Sequence, residues 1–142
     1  MFIDTNVLIY SLDPNETEKR GKAATLLRNG ILAGWIVTSP QTLNECYRVL
    51  VDRKKLMPRE HARAFLATLL PTCLAPLDVT TTTEAWAIQD RTGFAWWDCV
   101  MLASAIQAEC SLFASEDLTD GTEIGGLRVA NPFLNDLAPR AQ

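Results

Sequence analysis

Four carboxylates stand at positions where an isolated acid is chemically conspicuous. Asp4 ends a short apolar run, Phe2-Ile3. Asp98 is the only acid between Asp90 and Glu109, and it opens an otherwise apolar segment. Glu45 lies among Leu43, Cys46, Tyr47 and Leu50. Asp117 sits in the polar turn Ser115-Glu116-Asp117-Leu118-Thr119-Asp120-Gly121. Each has an ordinary alternative. Asp4 and Asp98 suit helix N-caps or first turns. Glu45 could pair with Arg48 three residues on, and Asp117 could be plain turn chemistry. Together they suggest something else, because a buried ionised carboxylate is costly unless it is paired, hydrogen-bonded or bound to a cation.

A carboxylate cluster without His or Cys has a restricted chemistry. Like charges at close range raise one another's pKa, and a hard divalent cation relieves the repulsion. Mg²⁺ or Mn²⁺ prefers oxygen ligands and, there, can activate a water and stabilise charge on a phosphoryl group. The matching substrate is a phosphodiester. Other chemistries are poorly provided for. The single histidine, His61, lies among Arg59, Glu60 and Arg63 and reads as exposed; a multi-His zinc site is impossible. Cys46, Cys73, Cys99 and Cys110 have no C-x-x-C spacing. They read as packing thiols in a reducing compartment, with Cys99 and Cys110 buried.

These acids need elements to position them. Phe2 to Asp4 reads as a buried strand, and Thr5-Asn6 as a turn capping a helix from Val7. A helical period covers Thr17 to Ile31 and stops near Gly34. Trp35 to Thr38 reads as a second strand. Ser39 and Pro40 then open a helix running to about Lys55. Pro58 opens another, through Leu70. Cys73 to Leu77 reads as an edge strand, since Pro76 lacks a ladder donor. Helices follow over Thr82 to Arg91 and Trp97 to Glu109, the second apolar on nearly all sides and therefore buried. Leu112 to Ala114 and Leu127 to Val129 read as strands, and Asn131 to Leu137 as a short closing helix.

Short apolar strands alternating with helices imply parallel crossovers and a three-layer α/β fold. In such sheets the ligand site lies beyond the carboxyl ends of the strands, where Asp4 and the Ser115–Asp117 turn fall. The 142 residues fit one domain, 1–142, with roughly 70% of the unfolded surface buried. Hydrophobic residues make up 48% and charged residues 21%, which excludes a disordered or fibrous chain. No apolar run is long enough for a membrane span, and the first residues lack an export signal. A cytoplasmic location is expected.

The net charge of −4 argues weakly against a nucleic-acid partner, but its distribution does not. Arg48, Arg53, Lys54, Lys55, Arg59 and Arg63 face only Asp52 and Glu60 in that stretch, about +4, leaving about −8 for the rest. Arg48, Arg53, Lys54 and Lys55 are the candidate RNA contacts. The alternative is a solvated helical face.

The segments FIDTNVLIY, SPQTLNECYRVL, WWDCVMLASAIQAEC and LFASEDLTDGTEIGGLRVANPF, in that order, resemble the PIN-domain family, and within it the VapC-type ribonuclease toxins of bacterial toxin–antitoxin pairs. The resemblance implies a PIN-like (Rossmann-like) three-layer α/β/α sandwich with a short, mainly parallel central sheet. It implies an Mg²⁺-dependent endoribonuclease (Mn²⁺ as a substitute) with Asp4, Glu45, Asp98 and Asp117 as catalytic acids. Asp4, Asp98 and Asp117 would be the metal ligands, and Thr5, Asn6, Ser115 and Glu116 would support them. The last turn departs from the Thr-x-Asp-x-Asp common in relatives, so Glu116 or Asp120 competes with Asp117 for the fourth place. The resemblance also implies a VapB-type antitoxin and a homodimer. Phe65, Leu66, Leu69 and Leu70 are candidates for a partner-helix groove, and Trp96 or Trp97 for stacking on a base; core packing is the plainer role for all six.

Two other readings fit parts of the sequence. An aspartate-based phosphatase or phosphotransferase also places an Asp after its first parallel strand, but it needs a second acid where Asn6 stands. A PIN-like RNA- or protein-binding module without catalysis would not need the four acids.

Overall fold

A computed structural model describes residues 1–138. Its sheet has four strands: β1 (Phe2–Ile3), β2 (Leu112–Ala114), β3 (Glu123–Ile124) and β4 (Leu127–Ala130). They lie in the order β1-β2-β4-β3, with β1, β2 and β4 parallel and β3 antiparallel at the edge. Beyond β1 the layer continues only as single bridges, Phe2 with Val37 and Thr38 with Cys73. The helices are α1 (Thr5–Tyr10), α2 (Thr17–Ala33), α3 (Pro40–Arg48), α4 (Arg59–Leu69), α5 (Val79–Thr92) and α6 (Trp96–Gln107).

The alternation of strand side chains explains the layering. Phe2 and Phe113 point to one face, where their rings stack at 5.2 Å and join a buried cluster with α5 and α6. Ile3 and Ala114 point to the other, into a cluster with residues from α1, α2, α3 and α4. Two helical layers thus cover a mainly parallel sheet, the α/β sandwich expected. α6 is buried without interruption from Cys99 to Ala105, as its all-round apolar sequence requires.

Close packing sets one sharp constraint. A Cβ on Gly30 of α2 would lie 2.3 Å from Ile36 Cγ1, and Ile36 is itself buried. Alanine gains about 1 kcal/mol of helix propensity over glycine. Overpacking costs about 1–3 kcal/mol, so Gly30→Ala should lower stability, measured by denaturant midpoint, instead of raising it.

Several expected boundaries are corrected. The first helix starts at Thr5, not Val7, so Thr5 and Asn6 are helical. The helix after Pro40 is α-helical only to Arg48. It continues as a π-turn over Val49–Arg53, in which Lys54 N donates to Val49 O at 2.9 Å. Lys55 ends it with a left-handed φ of 50°. The expected 35–38 and 73–77 strands shrink to the bridges at Val37, Thr38 and Cys73, because Leu70–Thr72 forms a 3₁₀ turn and Pro76 follows. α5 begins earlier, at Val79, under a capping box between Asp78 and Thr81. β3, which pairs with β4 across Gly125-Gly126, was not anticipated. Residues 131–137 are turns, not a helix: Asn131 Oδ1 accepts from Phe133 N at 2.9 Å, a local bond that competes with helix formation. Cys110 is half-buried, not buried, and all four cysteines are free.

Candidate active site

β1 and β2 run side by side and end together. Asp4 N donates to Ala114 O at 3.0 Å, and the next residues on each chain, Asp4 and Ser115, meet by side chain. The Ser115 hydroxyl donates to Asp4 Oδ2 at 2.7 Å. Ser115 Oγ also accepts from the backbone of Asp117 at 3.2 Å and Leu118 at 3.4 Å, which shapes the turn that carries Asp117. The Asn6 amide donates to Asp117 Oδ2 at 2.9 Å and to Asp4 Oδ2 at 3.3 Å. It therefore sits between the two carboxylates, with its own Oδ1 buried and unpartnered.

Asp4 occupies the N-cap position of α1, yet its side chain makes no capping bond. Asp98 is not a cap either. Ala95 holds that position, and Asp98 lies in the first turn of α6, where the helix dipole favours an anion. Glu45, half-buried on α3, does not pair with Arg48. Its Oε2 accepts from the Thr5 hydroxyl at 2.9 Å and its Oε1 from the Gln41 amide at 2.9 Å. Gln41 Nε2 also donates to Trp97 O at 2.9 Å, tying α3 to α6 beside Asp98. Gln41 was missed at the sequence level; its i,i+4 spacing to Glu45 was the available signal.

These four acids border one cavity of about 430 Å³. Their electrostatics show the convergence. Burial pushes Asp4 up to about 7, against the bond from Ser115, and the charges of Asp98 and Asp117 add to the rise. Asp98 is raised by burial and then by Asp117 and Glu45. Among the described residues no Lys or Arg pairs with any of the four. The cavity's far wall is cationic, with Arg48, Arg53 and Lys54. Lys54 is partly spoken for by the buried Asp13, 2.8 Å away. The π-turn carries Arg53 and leads into Lys54. Lys55 does not border the cavity.

Other expectations are corrected here. Glu116 faces away from the acids: it is ion-paired to Lys19 at 2.5 Å, and its hydrogen bond pushes the Tyr10 phenol up to about 12. Asp120 is a fastener for the closing turns, accepting from Asn131 N at 2.8 Å and Asn135 Nδ2 at 3.0 Å. Of the three candidates for the fourth acidic place, Asp117 alone borders the cavity. Trp96 and Trp97 do not border it; Trp97 is 60% exposed beside it. Leu69 is core, Phe65 and Leu66 flank the core, and Leu70 is exposed. His61 is exposed on α4, as expected.

Among the described residues no three Asp, Glu, His or Cys side chains are drawn together as a preformed metal cage. The donor set still suits a hard cation: carboxylates, a hydroxyl and an unpartnered amide oxygen, with no soft ligand. Mg²⁺ keeps several waters and needs only one or two carboxylates, so a loose oxygen-lined set fits it.

The PIN domain family model matches residues 1–119. The chain belongs to the PIN-domain family. The match includes all four acids and ends before β3 and β4. No curated protein matches the chain. PIN domains are typically nucleases, hydrolases of phosphodiester bonds, and generally use divalent metals. Among the described residues of this PIN domain, no helix is long and apolar enough to cross a membrane.

Gln41 is the side chain that links two acid-bearing helices, so its removal has a defined effect. Gln41→Ala should lower stability by about 1–3 kcal/mol, since Gln41 is buried and its amide bonds both the Glu45 carboxylate and the Trp97 carbonyl. It should lower any nuclease activity about tenfold by loosening Glu45, measured as initial rate on one substrate.

Proposed function

We propose that this PIN domain is an Mg²⁺-dependent endoribonuclease, acting as the toxin of a toxin–antitoxin pair. The observation that carries the reading is the meeting of four carboxylates from four separate elements in one cavity that also presents arginines. That combination suits a cation on one side and a polyanionic chain on the other. The toxin role rests on the resemblance to VapC-type proteins.

In this reading Asp4, Asp98 and Asp117 hold Mg²⁺ (or Mn²⁺). When bound, the cation offsets the carboxylate charge, makes a water acidic and stabilises charge developing on the phosphoryl group. Ser115 fixes Asp4, and Asn6 spaces Asp4 from Asp117. Glu45, held by Thr5 and Gln41, has acceptor capacity left on each oxygen to orient an attacking water. Arg48 and Arg53 receive a neighbouring phosphate. Among the described residues no cation is ion-paired to the acids, and this supports a VapB-type antitoxin that neutralises them with a basic side chain. A homodimer working in the cytoplasm completes the proposal.

The test is cleavage of total RNA by the purified protein with Mg²⁺, with a chelator, and with Asp98→Asn alongside. Discrete products that need both metal and Asp98 are expected. Cleavage that survives the chelator and the substitution equally would overturn the assignment.

A further inference from the structure

The cavity has a third kind of wall besides acids and cations. Ile9, Tyr10 and Val49 form an apolar side, and Tyr10 is the one aromatic residue bordering it among the described residues. Tyr10 ends α1, about 9 Å along the helix axis from Asp4 at 1.5 Å per residue. Its ring is held from several directions. Lys19 Nζ lies over it, 4.9 Å from the centroid. Phe133 meets it edge-on at 5.3 Å and 87°. The lysine that covers the ring is itself fixed by an ion pair with Glu116.

Packing alone explains the contact with Phe133. It does not explain why a clamped ring borders a cavity whose other walls suit a metal and phosphates. A nucleotide combines a phosphate with a flat base that has a π-face, and an aromatic wall serves the second part as the acids and arginines serve the first. Trp97, the other exposed aromatic nearby, lies outside the cavity lining. We infer that Tyr10 is a positioning residue that stacks on one base of the bound RNA beside the cleaved bond, and that the Lys19–Glu116 pair holds its ring for that purpose. The inference rests on the nuclease reading for its ligand. It gives Glu116 a role the metal site does not.

The experiment is direct binding, by fluorescence anisotropy, of two labelled probes in Mg²⁺ on an Asp98→Asn background. One probe is a short oligoriboadenylate. The other is a ribose-phosphate oligomer of equal length without bases, which carries the same charge. Tyr10→Leu should weaken the oligoadenylate about 5- to 150-fold and the abasic oligomer by less than about twofold. Tyr10→Phe should keep the preference for bases, and Glu116→Gln should reduce it without abolishing it. Equal weakening on both probes would mean that Tyr10 is structural and would overturn the inference. So would an unchanged affinity for the oligoadenylate, or a parent protein with no preference for bases. Cleavage by the unsubstituted protein is scored separately. Base-dependent binding without metal-dependent cleavage removes the nuclease reading and leaves the stacking role; cleavage without base preference does the reverse.

Discussion

Asp4→Asn should make the metal-free protein more stable while ending the RNA cleavage proposed for it. Asp4 is 6% exposed, and burial raises its carboxyl from 3.8 to about 7. In the unfolded chain the proton leaves near pH 4, whereas in the fold it is held to about pH 7. The fold therefore carries the full benefit of a neutral Asp4 below pH 4 and loses it as pH rises through 7. A gap of that size corresponds to about 4 kcal/mol at most. The neutral amide avoids this loss, and its oxygen can still accept from Ser115. Denaturant unfolding in chelator should show the variant ahead by roughly 1–4 kcal/mol at pH 7.5 and level with the parent near pH 4. Mg²⁺ should then stabilise the parent at pH 7.5 and not the variant. A variant less stable than the parent at pH 7.5 would show that burial is not what Asp4 costs the fold.

Asp98→Asn should lower the cleavage rate at least about 1,000-fold, or about 4 kcal/mol of transition-state stabilisation, with little change in fold. Asp98 is half-buried and takes no hydrogen bond from a donor among the described residues, so the amide disturbs no existing partner. It removes a charge that Asp4 feels in the metal-free site. Two readouts check this: single-turnover cleavage at saturating Mg²⁺, and thermal midpoint in chelator, which should hold or rise. A rate within tenfold of the parent would exclude Asp98 from the reaction.

The acids were legible because their placement is a matter of chain position. An Asp that follows an apolar strand must emerge at the sheet's carboxyl end, and an acid alone in an apolar helix must have a reason to be there. Their supports were less legible. Thr5 was placed in a turn, and its hydroxyl reaches Glu45 only because α1 starts two residues earlier than its periodicity suggests. Gln41 carried one local signal, its i,i+4 spacing to Glu45, but its bond to Trp97 and the contact of Tyr10 with Phe133 join residues dozens of positions apart, which no local pattern marks. Glu116 and Asp120 were competitors for Asp117 because three acids in one turn look alike in one dimension. The turn sends Glu116 to Lys19 and Asp120 to Asn131, leaving Asp117 inward. The π-turn was hidden because Leu50 keeps the helical spacing after Cys46, and the extra residue shows only in the backbone bond from Lys54 to Val49.

The bond from Ser115 to Asp4 joins residues 111 positions apart. Such a contact closes a very long loop and forms late, after local helices are in place. During synthesis, the residues that shape the first acidic position wait for a serine that emerges 111 residues after Asp4. An incomplete chain holds Asp4, Glu45 and Asp98 without the hydroxyl and turn that organise them. For a ribosome making a member of a nuclease family, that order of assembly is a safeguard: the site acquires its geometry only after Ser115 and its turn have been made.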